Sequence, residues 1–192
     1  MTINLNDLNK YLDVAKEAAL RAGVVLKERF RKLCPSMIDE KAKNDFVTER
    51  ENTYSAIKGQ GAFKNGKRIH VSRSNTLNTS LVATGFPFKI KDIIDNYLKV
   101  FKEFFMRATG IRRGGSACLD LAYTAEGIFG GFFECSLSPW DMAAGALLVK
   151  EAGGEVTDFN GGNQYLKTGN IIAGSKGVHQ EMLKIIQGIF KN

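Results

Sequence analysis

The chain has 192 residues, 44% apolar and 24% charged, and carries 27 lysines and arginines against 20 acids for a net charge of +7. That length and balance suit one compact domain, or one domain with a small appendage, of ordinary globular type. Three cysteines (Cys34, Cys118, Cys135), an odd number in no CxxC spacing, suggest neither a disulfide framework nor a zinc site.

The basic residues are scattered without interleaved aromatics, so nucleic acid is not the expected main partner. Residues 1–30 are amphipathic and mixed in charge rather than signal-like, and no apolar run approaches membrane-spanning length. A cytoplasmic protein is expected.

In chain order, Leu5, Leu8, Leu12, Ala15, Ala19, Ala22 and Leu26 recur at spacings of three and four, predicting a long helix whose stripe must pack on something. Pro35 ends it. The segment "KAKNDFVTER" (41–50) is polar, and "TYSAIKGQGAFKNGKRIHVS" (53–72) reads as short strands, with Asn65-Gly66 a hairpin signal. His70 fits a surface position at a strand end.

From residue 80 strands and helices alternate, which argues for an α/β layered fold. "SLVATGF" is a buried strand, and "IKDIIDNYLKVFKEFF" a helix with Ile90, Ile93, Ile94, Tyr97, Leu98, Phe101 and Phe105 on one face. "ATGIRR" is a strand, "SACLDLAYTAEG" a helix and "IFGGFFEC" a strand. A helix follows from Ser138, then strands at "EVTDF" and "IIAGS" and a last helix at "VHQEMLKIIQGIF".

Two stretches can carry chemistry. In "ECSLSPWDMAAGALLVKEAGG" (134–154), Ser138 is a good N-cap, Pro139 suits the first helical position, and Asp141 can bond back to the cap. That box alone accounts for "SPWD". It does not account for Glu134, seven residues upstream at the end of an apolar strand. Two carboxylates at one edge of an α/β sheet suit a hard cation such as Mg²⁺. In "IRRGGSACLDL", Gly114-Gly115 permits close backbone approach, Ser116 is the natural N-cap, and Arg112 and Arg113 add positive charge. A tight strand-to-helix turn with surface arginines is the plainer reading. Asp120 and Glu126 read as a solvated helix face.

"RRGGSACLDLAYTAEGIFGGFFE" followed by "LSPWDMAAGALLVKEAGG" closely resembles the inositol monophosphatase family of Mg²⁺-dependent, lithium-sensitive phosphatases. "LDVAKEAALRAGVVLKERF", "KNDFVTE" and "YSAIKGQGAFKNGKRIHVS" resemble its first helix, the approach to its metal site and its central hairpin. The resemblance implies an αβαβα layered sandwich and hydrolysis of a sugar or polyol phosphate, inositol monophosphate first and fructose 1,6-bisphosphate next. It implies that Asp141 ligates Mg²⁺ and touches substrate, that Glu134 binds a polyol hydroxyl, and that Gly115, Ser116 and Ala117 line the same pocket. Arg112, with Arg113, mildly favours a second anionic group on the substrate. A homodimer is implied as well, with the helix at 90–106 and the Phe132-Phe133 strand offering the apolar surface.

The sequence also departs from the family pattern. The Gly-Glu-Glu and Asp-Pro-Leu-Asp-Gly-Thr segments, which supply most metal ligands in the family, are absent where "KNDFVTER" runs into "ENTYSAIKG" near residues 50–51. Gly130 stands where an aspartate is usual. The expected organisation is thus an N-terminal part, 1–79, lacking the metal-binding segment, and a C-terminal α/β part, 80–192. Either the segment is deleted or the sequence belongs to a longer chain. A catalytically inactive binding or scaffold protein is the rival reading.

Overall fold

The computed structural model describes residues 5–30, 52–87 and 90–190. Two compact units divide at residues 51 and 52. In the first, α1 (Leu5–Phe30) is a 26-residue helix. Its stripe differs from expectation: of the residues whose side chains are described, Ala15, Ala19 and Ala22 are exposed and Leu12 half-buried. Tyr11, Val14, Leu20 and Val24 are exposed too. Pro35 and the polar stretch 41–50 lie outside the described residues.

The second unit opens with a three-stranded antiparallel sheet, β1 (Tyr54–Ile57), β2 (Gly61–Lys64) and β3 (Lys67–Ile69). Asn65-Gly66 makes the predicted turn, with φ of 51° and 77°, and Lys64 pairs with Lys67. Only residues tolerant of positive φ close a two-residue hairpin whose twist matches the strands.

A five-stranded sheet follows in the order β5-β4-β6-β8-β7. Its strands are β4 (Leu81–Thr84), β5 (Gly110–Arg112), β6 (Gly131–Glu134), β7 (Glu155–Thr157) and β8 (Ile171–Gly174). β5, β4 and β6 run parallel, while β8 is antiparallel to both β6 and β7. The helices are α2 (Ile94–Arg107), α3 (Ala117–Ala125), α4 (Pro139–Glu151), the single turn α5 (Tyr165–Thr168) and α6 (Lys176–Phe190). The short turn α5 and a 3-10 turn at Leu77–Thr79 have no counterpart in the sequence reading.

Side-chain alternation along the strands builds two cores. Ala83, Phe132 and Ala173 face α3 and α4, and the hairpin residues Ala62 and Ile69 close that core from the far side. Val82, Phe133 and Ile172 face α2 and α6. The unit is therefore layered helix–sheet–helix–sheet, a mixed α/β fold with two sheets.

Two expectations are corrected by this packing. Phe132 and Phe133 are 0% and 1% exposed, one in each core, so they offer no surface to a second subunit. The apolar face of α2 is split as well. Tyr97, Val100 and Phe104 are buried, whereas Ile94, Leu98 and Phe105 point to solvent.

Candidate functional site

β4 and β6 run parallel, and α4 starts just beyond the end of β6. The carboxyl ends of such strands and the starts of the helices that follow share one edge of the sheet, where free helix N–H groups also collect. Along β6, Phe132 faces α3 and α4 and Phe133 faces the opposite side, so Glu134 is returned to the α3/α4 side. Gly85, just past β4, makes room for it: a β-carbon there would fall well inside contact distance of the Glu134 carboxyl. The strand ends are pinned from the other face. Thr84 Oγ1 donates to the Phe133 carbonyl at 2.8 Å and the Tyr97 hydroxyl to the Gly85 carbonyl at 2.5 Å. Burial pushes the Tyr97 pKa up.

Between Glu134 and α4 the chain turns through Ser136, a non-glycine residue at φ 64°, whose N–H donates to Asn170 Oδ1 at 3.3 Å. α4 begins with the predicted capping box: Ser138 N–H donates to Asp141 Oδ2 at 3.0 Å, and Pro139 holds the first turn. Trp140, the chain's single tryptophan, is 80% exposed beside Asp141. On α3, Ser116 caps the helix by accepting from Leu119 N–H at 3.5 Å, and Gly115 enters the turn at φ 95°. Ala117 is buried at the first helical position.

Electrostatics draw these parts together. Burial, reinforced by the charges of Asp120 and Asp141 and opposed by Arg113, pushes the Glu134 carboxyl up to about 7. At neutral pH it stands between acid and carboxylate, able to donate to a hydroxyl in one form and accept from it in the other. Asp120 is 2% exposed, and burial, opposed by Arg113, pushes it up to about 6. A β-carbon at Gly114 would crowd the Asp120 carboxyl, so the glycine turn wraps over that acid.

Asp120 is the site residue that sequence reasoning missed. Asp120 is buried rather than part of a solvated face. Glu126 also departs from that reading: it is half-buried and accepts from Tyr54 Oη and Lys64 Nζ, each at 2.5 Å. Arg112 turns back so that its Nη1 donates to the Ile111 carbonyl at 3.0 Å, and it is Arg113 whose charge acts on Glu134 and Asp120. Arg112 ends β5 and Arg113 lies just beyond it, a boundary that "RR" alone does not resolve. At Gly130 the space an aspartate would need is filled by Ser80, whose Oγ would collide with any β-carbon there. His70 is exposed as expected, and no helix among the described residues is long and apolar enough to cross a membrane.

Residues 49–189 match the model of the inositol monophosphatase family. The Nus factor SuhB of Escherichia coli K12 is 49% identical over 134 residues, covering 70% of this chain and 50% of that protein. The putative Nus factor SuhB of Neisseria meningitidis serogroup B is 48% identical over 141 residues, covering 73% and 54%. Among solved structures, the inositol monophosphatase from Anabaena superposes with a TM-score of 0.68 at 34% identity, covering 72% of this chain and 57% of that one. The extragenic suppressor protein suhB from Bartonella henselae gives 0.68 at 41%, covering 71% and 52%. The chain spans about half the length of the curated relatives it matches.

Proposed function

The chain belongs to the inositol monophosphatase family, and on that premise we propose that it carries the substrate-orienting part of a Mg²⁺-dependent phosphomonoesterase acting on a sugar or polyol phosphate. Inositol monophosphate is the leading substrate and fructose 1,6-bisphosphate the next. The observation that carries this reading is Glu134: a half-buried carboxyl at the carboxyl edge of a parallel strand pair, pushed up to about 7 by desolvation and by the charges of Asp120 and Asp141, against the opposing pull of Arg113. A partly dehydrated acid that both donates and accepts suits a polyol hydroxyl. The Gly115–Ala117 turn adds the N–H groups of a capped helix start, and Arg113 adds a cation on the anionic side of the substrate.

The family's metal supplies polarisation of the phosphoryl group and activation of water when bound. Mg²⁺ asks for several well-placed oxygens. Among the described residues no group of three or more His, Cys, Asp or Glu side chains could hold it. Asp141 offers one carboxylate, already fixed by its bond from Ser138. The described residues do not make a complete ion site, so the chemistry derived for them is limited to binding and orienting the polyol phosphate.

A second reading has its own support. The Escherichia coli relative is named a Nus factor and the Neisseria one a putative Nus factor, and the expectation that nucleic acid is no partner gains nothing from those names. A non-catalytic family member acting through its surface fits those names. Phosphate release separates the two. The intact protein, its length fixed by mass, is assayed on inositol monophosphate and fructose 1,6-bisphosphate with Mg²⁺, with and without lithium. Lithium-sensitive release that falls steeply in Glu134→Gln supports the phosphatase reading; total inactivity together with no binding of either ester favours the second. A homodimer formed through the exposed stripe of α2 accompanies either reading.

A further inference from the structure

On the face of the five-stranded sheet opposite α3 and α4, residues of α2, α6 and the 3-10 turn at Leu77–Thr79 line a groove of about 1150 Å³. That volume exceeds the roughly 300–1,000 Å³ of small-molecule clefts. Its apolar lining includes Ile185 and Ile189, half-buried on α6, and Met106 of α2, 73% exposed. Its rim is basic. Lys99, Lys102 and Lys184 are exposed along it, and among the described residues none of them has a carboxylate partner.

The two acids in the groove are already engaged. Glu103 is held by Arg107, with Nη2 at 2.6 Å, and Glu181 accepts from Leu77 N–H at 2.9 Å. Lys99, Lys102, Lys184 and Arg107 outnumber Glu103 and Glu181, so the groove keeps an excess of positive charge, with three of the ammonium groups flanking a strip of methionine and isoleucine.

We propose that this groove is a docking site for an acidic amphipathic segment of a partner protein, an apolar edge lying on Met106, Ile185 and Ile189 and carboxylates meeting Lys99, Lys102 and Lys184. Helix-in-groove recognition uses this division of labour, with apolar anchors for affinity and charge for orientation and encounter. A second copy docked groove to groove would set the same lysine rims against each other. Single-stranded nucleic acid is disfavoured by the lining, which holds no aromatic ring for base stacking. The site stands apart from Glu134 and Asp141 and is independent of the phosphatase reading.

The test uses the whole chain and three labelled probes followed by anisotropy. The first is a 15-residue peptide with leucines at i, i+3, i+4 and i+7 and glutamates elsewhere. The second has the same composition with the leucines scattered out of register, and the third is a 15-nucleotide single-stranded RNA. The expected result is saturable binding of the first peptide, weakened about tenfold or more by Lys102→Glu with Lys184→Glu, weakened by added salt, and weakened by Met106→Gln. These three positions are exposed, and an unchanged thermal transition verifies that the variants fold. Equal binding of the two peptides, indifference to the charge reversal, or no saturation of the first peptide would overturn the proposal. RNA that binds in preference and is lost on the same reversal would replace the acidic peptide with nucleic acid.

Discussion

Glu134 has its environment dictated by residues far away in sequence. Gly85 clears its space, Asp120 and Asp141 repel its charge, and Arg113 tempers both. Its pKa of about 7 lies above the ordinary 4.5, so the folded state binds the proton more tightly than the unfolded state. The carboxyl therefore costs stability as pH rises from about 4.5 through about 7, and the cost is complete above that. Glu134→Gln should accordingly stabilise the protein at pH 8 and leave it near wild type at pH 4, as read by thermal melts. Gly85→Ala should displace Glu134 and lower the melting temperature at all pH values. Asp141 separates cap from ligand. Asp141→Ala should cost about 1 kcal/mol by losing the box, whereas Asp141→Asn retains an acceptor for Ser138 N–H and most of that stability, as urea unfolding would show. Asp141 and its cap could be read from "SPWD", because both lie within four residues. Asp120 could not, since its burial depends on the turn at Gly114 and on packing that helical period alone does not reveal.

At the scale of elements, the hairpin shows the same division. Asn65-Gly66 announces the turn because positive φ is a local demand. What fastens the sheet to the helices is not local. Glu151 at the end of α4 accepts from Gly59 N–H at 2.8 Å and Gly61 N–H at 2.9 Å, and Glu126 at the end of α3 binds Tyr54 and Lys64. Glu151→Ala should loosen the β1–β2 turn, costing about 1–2 kcal/mol for charge-assisted bonds. Faster hydrogen exchange at Gly59 and Gly61, with little change at Ala173 in β8, is the expected pattern. The strands and helices after residue 80 were legible because each obeys its own period. The split of α2 was not, because its stripe at Ile94, Leu98 and Phe105 looks like a core face until Tyr97, Val100 and Phe104 are seen to take that place.

For the whole molecule, the described residues include those proposed to orient a polyol but no group of three or more His, Cys, Asp or Glu that could hold a metal ion. A polypeptide of these 192 residues should show no metal-dependent phosphate release and weak or absent Mg²⁺ binding by calorimetry. Sharp Mg²⁺ binding with turnover would mean that other residues complete the site. The exposed stripe of α2 should pair two copies in solution, and a monomeric mass by light scattering at micromolar concentration would remove that idea. The central claim, that the edge built from Glu134, Asp141 and the Gly115–Ala117 turn binds a polyol phosphate, has a direct reporter in Trp140, the single tryptophan, exposed beside Asp141. Titrating inositol monophosphate in the presence of Mg²⁺ should shift its emission saturably, with the midpoint moved to higher concentration in Glu134→Gln. An emission that does not saturate, or a midpoint indifferent to Glu134, would contradict the account.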